Sequence, residues 1–337
     1  MNHLLIKEML IEAGKAVRQH VIQALAVSSH QVLAAVHEEK KEDTIYVIDR
    51  DVEDVLVHVI EKHSRALGGI ILLAEGIGED EEGVILPSDF SRDEAALRII
   101  IDPIDGTRGL MYDKRSAFYL AGAAPNKGKD TSLADIEVAV MVELPITKQF
   151  KADVLWAIRG KGSHAYTDNI LTGKTSEKVV SPTKAKSILG GFAQLARFFP
   201  PGRAILAGIE DDLIQHLAPS NPSGKALVFE DQYISSGGQL YELLMGHDRF
   251  VADVRGLLYQ KMKLEGKEGG HVCHPYDVCA HLIGEEAGII VTDGHGQTLN
   301  APLDLHSEIN WVGYGNSNIE LEVKDVLLNL LKKYQLR

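Results

Sequence analysis

Apolar side chains recur at Ile6, Met9, Leu10, Ala13, Val17, Val21 and Ala24, and this three-to-four spacing predicts a helix over residues 3–26. A second stripe, Val52, Val55, Leu56, Val59 and Ile60, predicts a helix from Arg50 to Leu67, ended by Gly68-Gly69. The period then changes. Ile70-Ile71-Leu72-Leu73-Ala74 is an unbroken apolar run, the pattern of a short buried strand, and it delivers Glu75 to its carboxyl end. Acidic, mixed sequence from Gly76 to Glu94 reads as an exposed loop. Ile99-Ile100-Ile101 is a further buried strand that runs straight into Asp102-Pro103-Ile104-Asp105-Gly106-Thr107. Pro103 has no ladder donor, so the chain is expected to leave the sheet there.

Strands are expected near 117–124, 136–143 and 153–158, joined by turns such as Pro125-Asn126-Lys127-Gly128, which favours an antiparallel or mixed sheet. Arg159–Gly162 reads as a hairpin turn; its Gly-x-Gly is too short for a nucleotide fingerprint. Between 176 and 232 helix and strand patterns alternate around the loops Pro200-Pro201-Gly202 and Pro219–Gly224. A helix around 238–246, a strand near 249–254 and a helix from Tyr276 to Ala287 follow. Strands 288–292 and 310–314 and a closing helix 318–333 complete the pattern. The expected fold class is α/β, with helix and sheet layers in two lobes, residues 1–180 and 181–337, forming one catalytic unit.

The length of 337 residues suffices for a full core, and 45% hydrophobic with 25% charged residues is ordinary for a globular protein. A formal net charge of -13 argues against nucleic acid or an anionic membrane as a bulk partner. An acidic chain binds phosphate only where local cations reverse the sign. The two cysteines, Cys273 and Cys279, imply no disulfide framework and fit a reducing, cytoplasmic setting. Lys7, Glu8, Glu12, Lys15 and Arg18 interrupt the first stripe, so it is not a signal-peptide core, and no apolar run is long enough to span a membrane.

Chemistry concentrates at Asp102 and Asp105. Two like charges emerging together beside a buried strand repel unless a cation holds them, and a hard metal beside a Gly-Thr turn handles phosphate. Asp277 sits in His274-Pro275-Tyr276-Asp277, a Pro-led turn opening a helix, so it reads either as a helix cap or as a further ligand. Asp49 reads as the N-cap of the helix beginning near Arg50. His271, Cys273, His274, Cys279 and His281 cluster, but match no zinc spacing, and read as buried cysteines and ordinary histidines. Glu38-Glu39-Lys40-Lys41-Glu42-Asp43 reads as a solvated loop.

These motifs together resemble the inositol monophosphatase superfamily, the magnesium-dependent, lithium-sensitive phosphatases. The matching positions, in order, are Asp49-Arg50-Asp51-Val52-Glu53, Ala74-Glu75-Gly76, the run 102–107, Arg159–Ser163, Tyr276-Asp277, Glu285–Gly288 and Thr292-Asp293-Gly294. Tyr276 stands where the family usually has Trp, Gly76 replaces a frequent second Glu, and extra residues occur near 178–230 and 255–272. The resemblance implies a sugar-phosphatase-like αβαβα sandwich and a homodimer. It implies two or three Mg2+ per site: one on Glu75, Asp102 and the Ile104 carbonyl, one on Asp102, Asp105 and Asp277, and a loosely held third near Glu75. It further implies that the Gly106 and Thr107 amides meet phosphate, and that Thr107 orients a metal-activated water whose proton passes to Asp49.

The substrate is a small phosphorylated metabolite, with several alternatives open. Ser116-Ala117-Phe118 matches the inositol-phosphatase branch, which acts on a polyol or sugar. Arg108-Gly109-Leu110 resembles the phosphoadenosine phosphate phosphatases, and fructose-1,6-bisphosphatase is a further alternative. Arg108, Ser235, Ser236 and Asp253 are the expected substrate contacts, with Arg255 or Lys263 able to meet a second phosphate. A catalytically silent ligand-binding relative is expected to have lost one of Glu75, Asp102, Asp105, Thr107 and Asp277; all five are present.

Overall fold

The computed structural model describes residues 1–27, 36–39, 44–77, 82–220 and 225–337, with backbone alone from 27 to 51. Helix α1 (His3–Val27) is followed by strands β1 (Val36–Glu39) and β2 (Thr44–Tyr46), which pair with each other, and by α2 (Val47–Ser64). Strands β3 (Ile70–Ala74), β4 (Val84–Leu86) and β5 (Leu97–Asp105) lead to the short helix α3 (Thr107–Met111). Five antiparallel strands come next: β6 (Ala117–Pro125), β7 (Val138–Leu144), β8 (Lys151–Ile158), β9 (Ser163–Asn169) and β10 (Thr175–Lys178). The chain continues through β11 (Phe192–Leu195), α4 (Arg203–Leu217), α5 (Ser236–Leu244), β12 (Asp248–Asp253) and α6 (Arg255–Leu264). After a 3-10 turn, Pro275–Val278, it ends with α7 (His281–Ala287), β13 (Ile290–Asp293), β14 (Trp311–Tyr314) and α8 (Ser317–Lys333).

The strands assemble an eight-stranded sheet, β10-β9-β8-β7-β6-β5-β3-β4, and a four-stranded sheet, β11-β12-β14-β13. The alternation of side chains across a strand decides the layers. Ile70, Leu72, Ile99, Ile101, Tyr119, Ala121, Val140 and Val142 point from the large sheet into a core closed by α1 and α2. Their neighbours Leu73, Ile100, Phe118, Leu120 and Met141 point the other way, against Leu240, Leu243 and Leu244 of α5, Leu282 and Ile283 of α7, and Val251, Val291 and Trp311 of the small sheet. The far face of the small sheet packs Phe250, Ala252, Val312 and Tyr314 on Leu206, Ile209 and Leu213 of α4 and Ile319, Val323 and Leu327 of α8. The order of layers is therefore αβαβα.

Several expectations need correction. The second helix begins at Val47, so Asp49 is its third residue and not its N-cap; the Asp49 side chain lies outside the described residues. The sheet does not end at Pro103. β5 runs to Asp105 with its register against β6 shifting between Asp102 and Asp105. The irregularity skips Pro103, which has no donor to offer, and the Ile104 amide, left without a ladder partner, donates to the Asp102 side chain at 3.0 Å. The helix expected over 276–287 is split into the 3-10 turn and α7, and β4 interrupts the loop expected over 76–94. Glu38 and Glu39, read as loop, lie in β1, whereas Lys40 to Asp43 of that run lie outside the described residues, as do 78–81 and 221–224 of other expected loops.

Candidate active site

The connections at the carboxyl end of β5 bring the acidic residues together. β3 and β5 are parallel neighbours, so Glu75, just past β3, and Asp102 and Asp105, in β5, end on the same edge. Asp277 arrives from the 3-10 turn more than a hundred residues later, and the Asp102, Asp105 and Asp277 carboxylates each place an oxygen within 4.8 Å of the others. All three line one cleft with Glu75, Ile104, Gly106, Thr107 and Arg108. The rest of its lining is Phe198, Phe199, Ile234, Ser235, Ser236, Arg255, His271 and Val272, around about 610 Å³ that includes space open to solvent.

Each carboxylate is held by local geometry. Asp102 is 1% exposed and accepts the Ile104 amide. Asp277 accepts the His274 amide at 2.6 Å and closes a capping box, so the capping role and membership of the acidic cluster coexist. One oxygen of Asp105 is consumed by the start of α5: Ser235 Oγ donates to Oδ2 at 2.8 Å, and the Gly237 amide donates to the same oxygen. Only glycine fits at 237 without a shift, because a Cβ there would stand 2.6 Å from Asp105 Oδ2. The following turn is equally tight. Gly106 has φ +97°, which side chains rarely adopt, and a Cβ would press on Ser235. Thr107 Oγ1 donates to the Ile104 carbonyl at 2.8 Å, fixing the hydroxyl at the cleft.

Electrostatics mark the cluster as cation-seeking. Burial pushes the Asp105 carboxyl up, against hydrogen bonds from Ser235 and α5 amides. Burial, reinforced by the charge of Asp105, also pushes Asp277 up. Arg255 is the cation that acts on both, yet its guanidinium is paired elsewhere. Two buried carboxylates and a partly buried third, sharing one small volume and offering hard oxygen donors, fit a divalent cation such as Mg2+. Cys273 and Cys279 are buried and unbridged, and burial raises both thiols far above their ordinary range.

The structure brings Gly106, Thr107, Arg108, Ser235 and Ser236 to the cleft but not Asp253. Asp253 is 1% exposed and locked to Arg255, and Arg255 takes the place on the wall instead. Phe198 and Phe199 were not singled out by the sequence. Arg108 lies 5.3 Å over the Phe199 ring and Arg255 4.3 Å over Phe198. Their only signal is an aromatic pair before Pro200-Pro201-Gly202, with nothing local to connect it to a motif ninety residues away.

Comparison with known proteins shows what the chain is similar to. A curated relative from Methanothermobacter thermautotrophicus, described as a fructose-1,6-bisphosphatase/inositol-1-monophosphatase, is 24% identical over 288 residues, covering 83% of this chain and 82% of that protein. The extragenic suppressor protein suhB from Bartonella henselae has a similar fold, with a TM-score of 0.63 at 16% identity over 96% of this chain and 98% of that one. Leishmania major fructose-1,6-bisphosphatase in its holo form superimposes with a TM-score of 0.64 at 14% identity, covering 98% and 94%. The inositol monophosphatase family profile matches residues 5–322. The chain therefore belongs to the inositol monophosphatase family and is a metal-dependent phosphatase, a phosphoric monoester hydrolase.

Proposed function

We propose that this enzyme hydrolyses the phosphate monoester of a small phosphorylated polyol or sugar with Mg2+, held by Glu75, Asp102, the Ile104 carbonyl, Asp105 and Asp277. The observation that carries the reading is the convergence of Asp102, Asp105 and Asp277 within 4.8 Å beside the Gly106-Thr107 turn. When bound, the metal supplies Lewis-acid activation and cancels negative charge at the phosphoryl group. The chain does the rest. The Gly106 and Thr107 amides and Arg108 hold phosphate oxygens, and the Thr107 hydroxyl, fixed by Ile104, orients the attacking water. Asp49 takes the proton through Thr107, a role that rests on the family resemblance. Water adds to phosphorus as the ester P–O bond breaks, and the leaving oxygen takes one proton from solvent, balancing the one passed to Asp49, with no covalent phosphoenzyme.

Two or three Mg2+ per site, lithium sensitivity, a homodimer and a cytoplasmic setting belong to the same proposal and rest on the resemblance and on the two unbridged cysteines. So does the division into lobes 1–180 and 181–337 acting as one catalytic unit.

A second reading, a sugar bisphosphate as substrate, is favoured by one observation. The acid expected to face a neutral polyol, Asp253, is sequestered, and a guanidinium lines the wall in its place. A phosphate-release screen over inositol monophosphate, fructose 1,6-bisphosphate and phosphoadenosine phosphate, with Mg2+ or with chelator, tests both readings. Release is expected only with the metal, and Asp102→Asn should lower turnover at least about 10²-fold. Near-normal hydrolysis by that variant, or full activity in chelator, overturns the assignment.

A further inference from the structure

Asp105 binds metal through whichever oxygen the protein leaves it. Its Oδ2 is taken by the Ser235 hydroxyl at 2.8 Å and by the Gly237 amide, and Ser235 in turn accepts the Gly238 amide at 2.7 Å. The position of this first turn of α5 therefore sets the direction of the remaining oxygen. The back of the turn is Tyr233. Gly238 has no side chain where a Cβ would overlap the Tyr233 ring, so the ring packs directly against the turn.

Tyr233 is itself held from two directions. Its hydroxyl donates to the Ser116 carbonyl at 2.7 Å and lies 3.1 Å from the Ser116 hydroxyl. Ser116 immediately precedes β6, whose Phe118 is the register partner of Asp105. The Arg115 guanidinium lies over the ring, 3.9 Å from its centroid. That guanidinium is oriented by Asp231 at 2.6 Å and Glu242 at 3.4 Å. One side chain thus ties the strand beside Asp105 to the helix start that grips it.

We propose that Tyr233, clamped by Arg115 and Ser116, is a positioning residue that aims the free oxygen of Asp105 at the metal. The inference rests on Asp105 being a metal ligand, as proposed above. Partners one step beyond metal ligands fix ligand orientation and typically tune metal affinity about 10–100-fold. Tyr233→Phe removes the hydroxyl bridges to Ser116 while keeping the ring against Gly238, so it loosens the clamp without opening a cavity.

The test is calorimetric titration of metal-free wild type, Tyr233→Phe and Ser235→Ala with Mg2+ alone, alongside the melting temperature of each metal-free protein. Tyr233→Phe is expected to weaken Mg2+ binding about tenfold. Its metal-free melting temperature should fall by less than about 3 °C, the effect of one net hydrogen bond in a chain of this size. Ser235→Ala should weaken binding at least as much. A Tyr233→Phe protein that binds Mg2+ as tightly as wild type overturns this inference and leaves the metal site standing. A wild-type protein that binds no Mg2+ overturns both.

Discussion

Arg255 grips Asp253, two residues back in the chain, with Nε to Oδ1 at 2.8 Å and Nη2 to Oδ2 at 2.6 Å, and both side chains are out of water. Burial works against the Arg255 charge, and the adjacent Asp253 more than restores it. The remaining guanidinium nitrogen bonds the His271 carbonyl at 3.0 Å. A single ion pair thus fixes the end of β12, the start of α6 and the loop that carries His271 onto the cleft wall.

Breaking one half of this pair should be costly. Asp253→Asn leaves a buried guanidinium short of its counter-charge and is expected to lose about 3–5 kcal/mol in urea unfolding. The double change Asp253→Leu with Arg255→Met should recover much of that loss, because two apolar groups replace two charges. A single-variant loss below about 1 kcal/mol would contradict the buried-pair account.

Gly237 offers a test of the site in which no proposed metal ligand is itself replaced. A Cβ at 237 would lie 2.6 Å from Asp105 Oδ2, so Gly237→Ala must push that carboxylate or the start of α5 aside. Turnover is expected to fall about 10²-fold, the scale of an ångström-sized misplacement near reacting groups. Steady-state phosphate release decides it, and an unchanged rate would show that the contact relaxes freely.

Metal should stabilise the fold. Cations relieve the repulsion among Asp102, Asp105 and Asp277 only where the three meet, in the folded chain. Millimolar Mg2+ is expected to raise the melting temperature over a chelated sample, with a larger rise at pH 8 than at pH 6. Bound carboxylates must shed the protons that burial favours on Asp105 and Asp277. Scanning calorimetry at the two pH values checks both the shift and its sign.

Asp248 gives a pH dependence away from the site. Burial, with Glu242 close by, pushes its carboxyl from 3.8 up to about 7. A folded value above the unfolded one means that this group's stabilising contribution is complete below the unfolded value and is lost as pH climbs through about 7. Asp248→Asn keeps an acceptor for Gln194 and removes the titration. The variant should gain on wild type between pH 4 and pH 8, by up to about 4 kcal/mol. Urea midpoints at both pH values measure it, and equal gains at the two would exclude Asp248 as the cause.

Much of the fold was legible because burial leaves a periodic trace. The stripe from Ile6 to Ala24 and the run Ile70–Ala74 became α1 and β3 almost to the residue. Strands β9 and β10 went unread: Thr175–Lys178 is an edge strand with mostly exposed side chains, so its backbone pairing leaves no apolar pattern. Pro103 was read as an exit from the sheet because a proline lacks a donor; instead the ladder skips it at an irregularity, and the Asp102 side chain accepts the Ile104 amide that the ladder leaves over.

The sequence by itself determined which residue types were available to the site: carboxylates at strand and turn ends, beside a glycine and a hydroxyl, in the order of a recognisable family. Only the tertiary structure decided which oxygen of Asp105 is occupied, that Asp253 turns inward to Arg255, and that Phe198 and Phe199 wall the cleft. The physical reason is range. Helix and strand periodicity record whether a side chain meets core or water within a few residues. The partner of Asp105, Ser235, lies 130 residues away and is chosen by how the large sheet packs on α5.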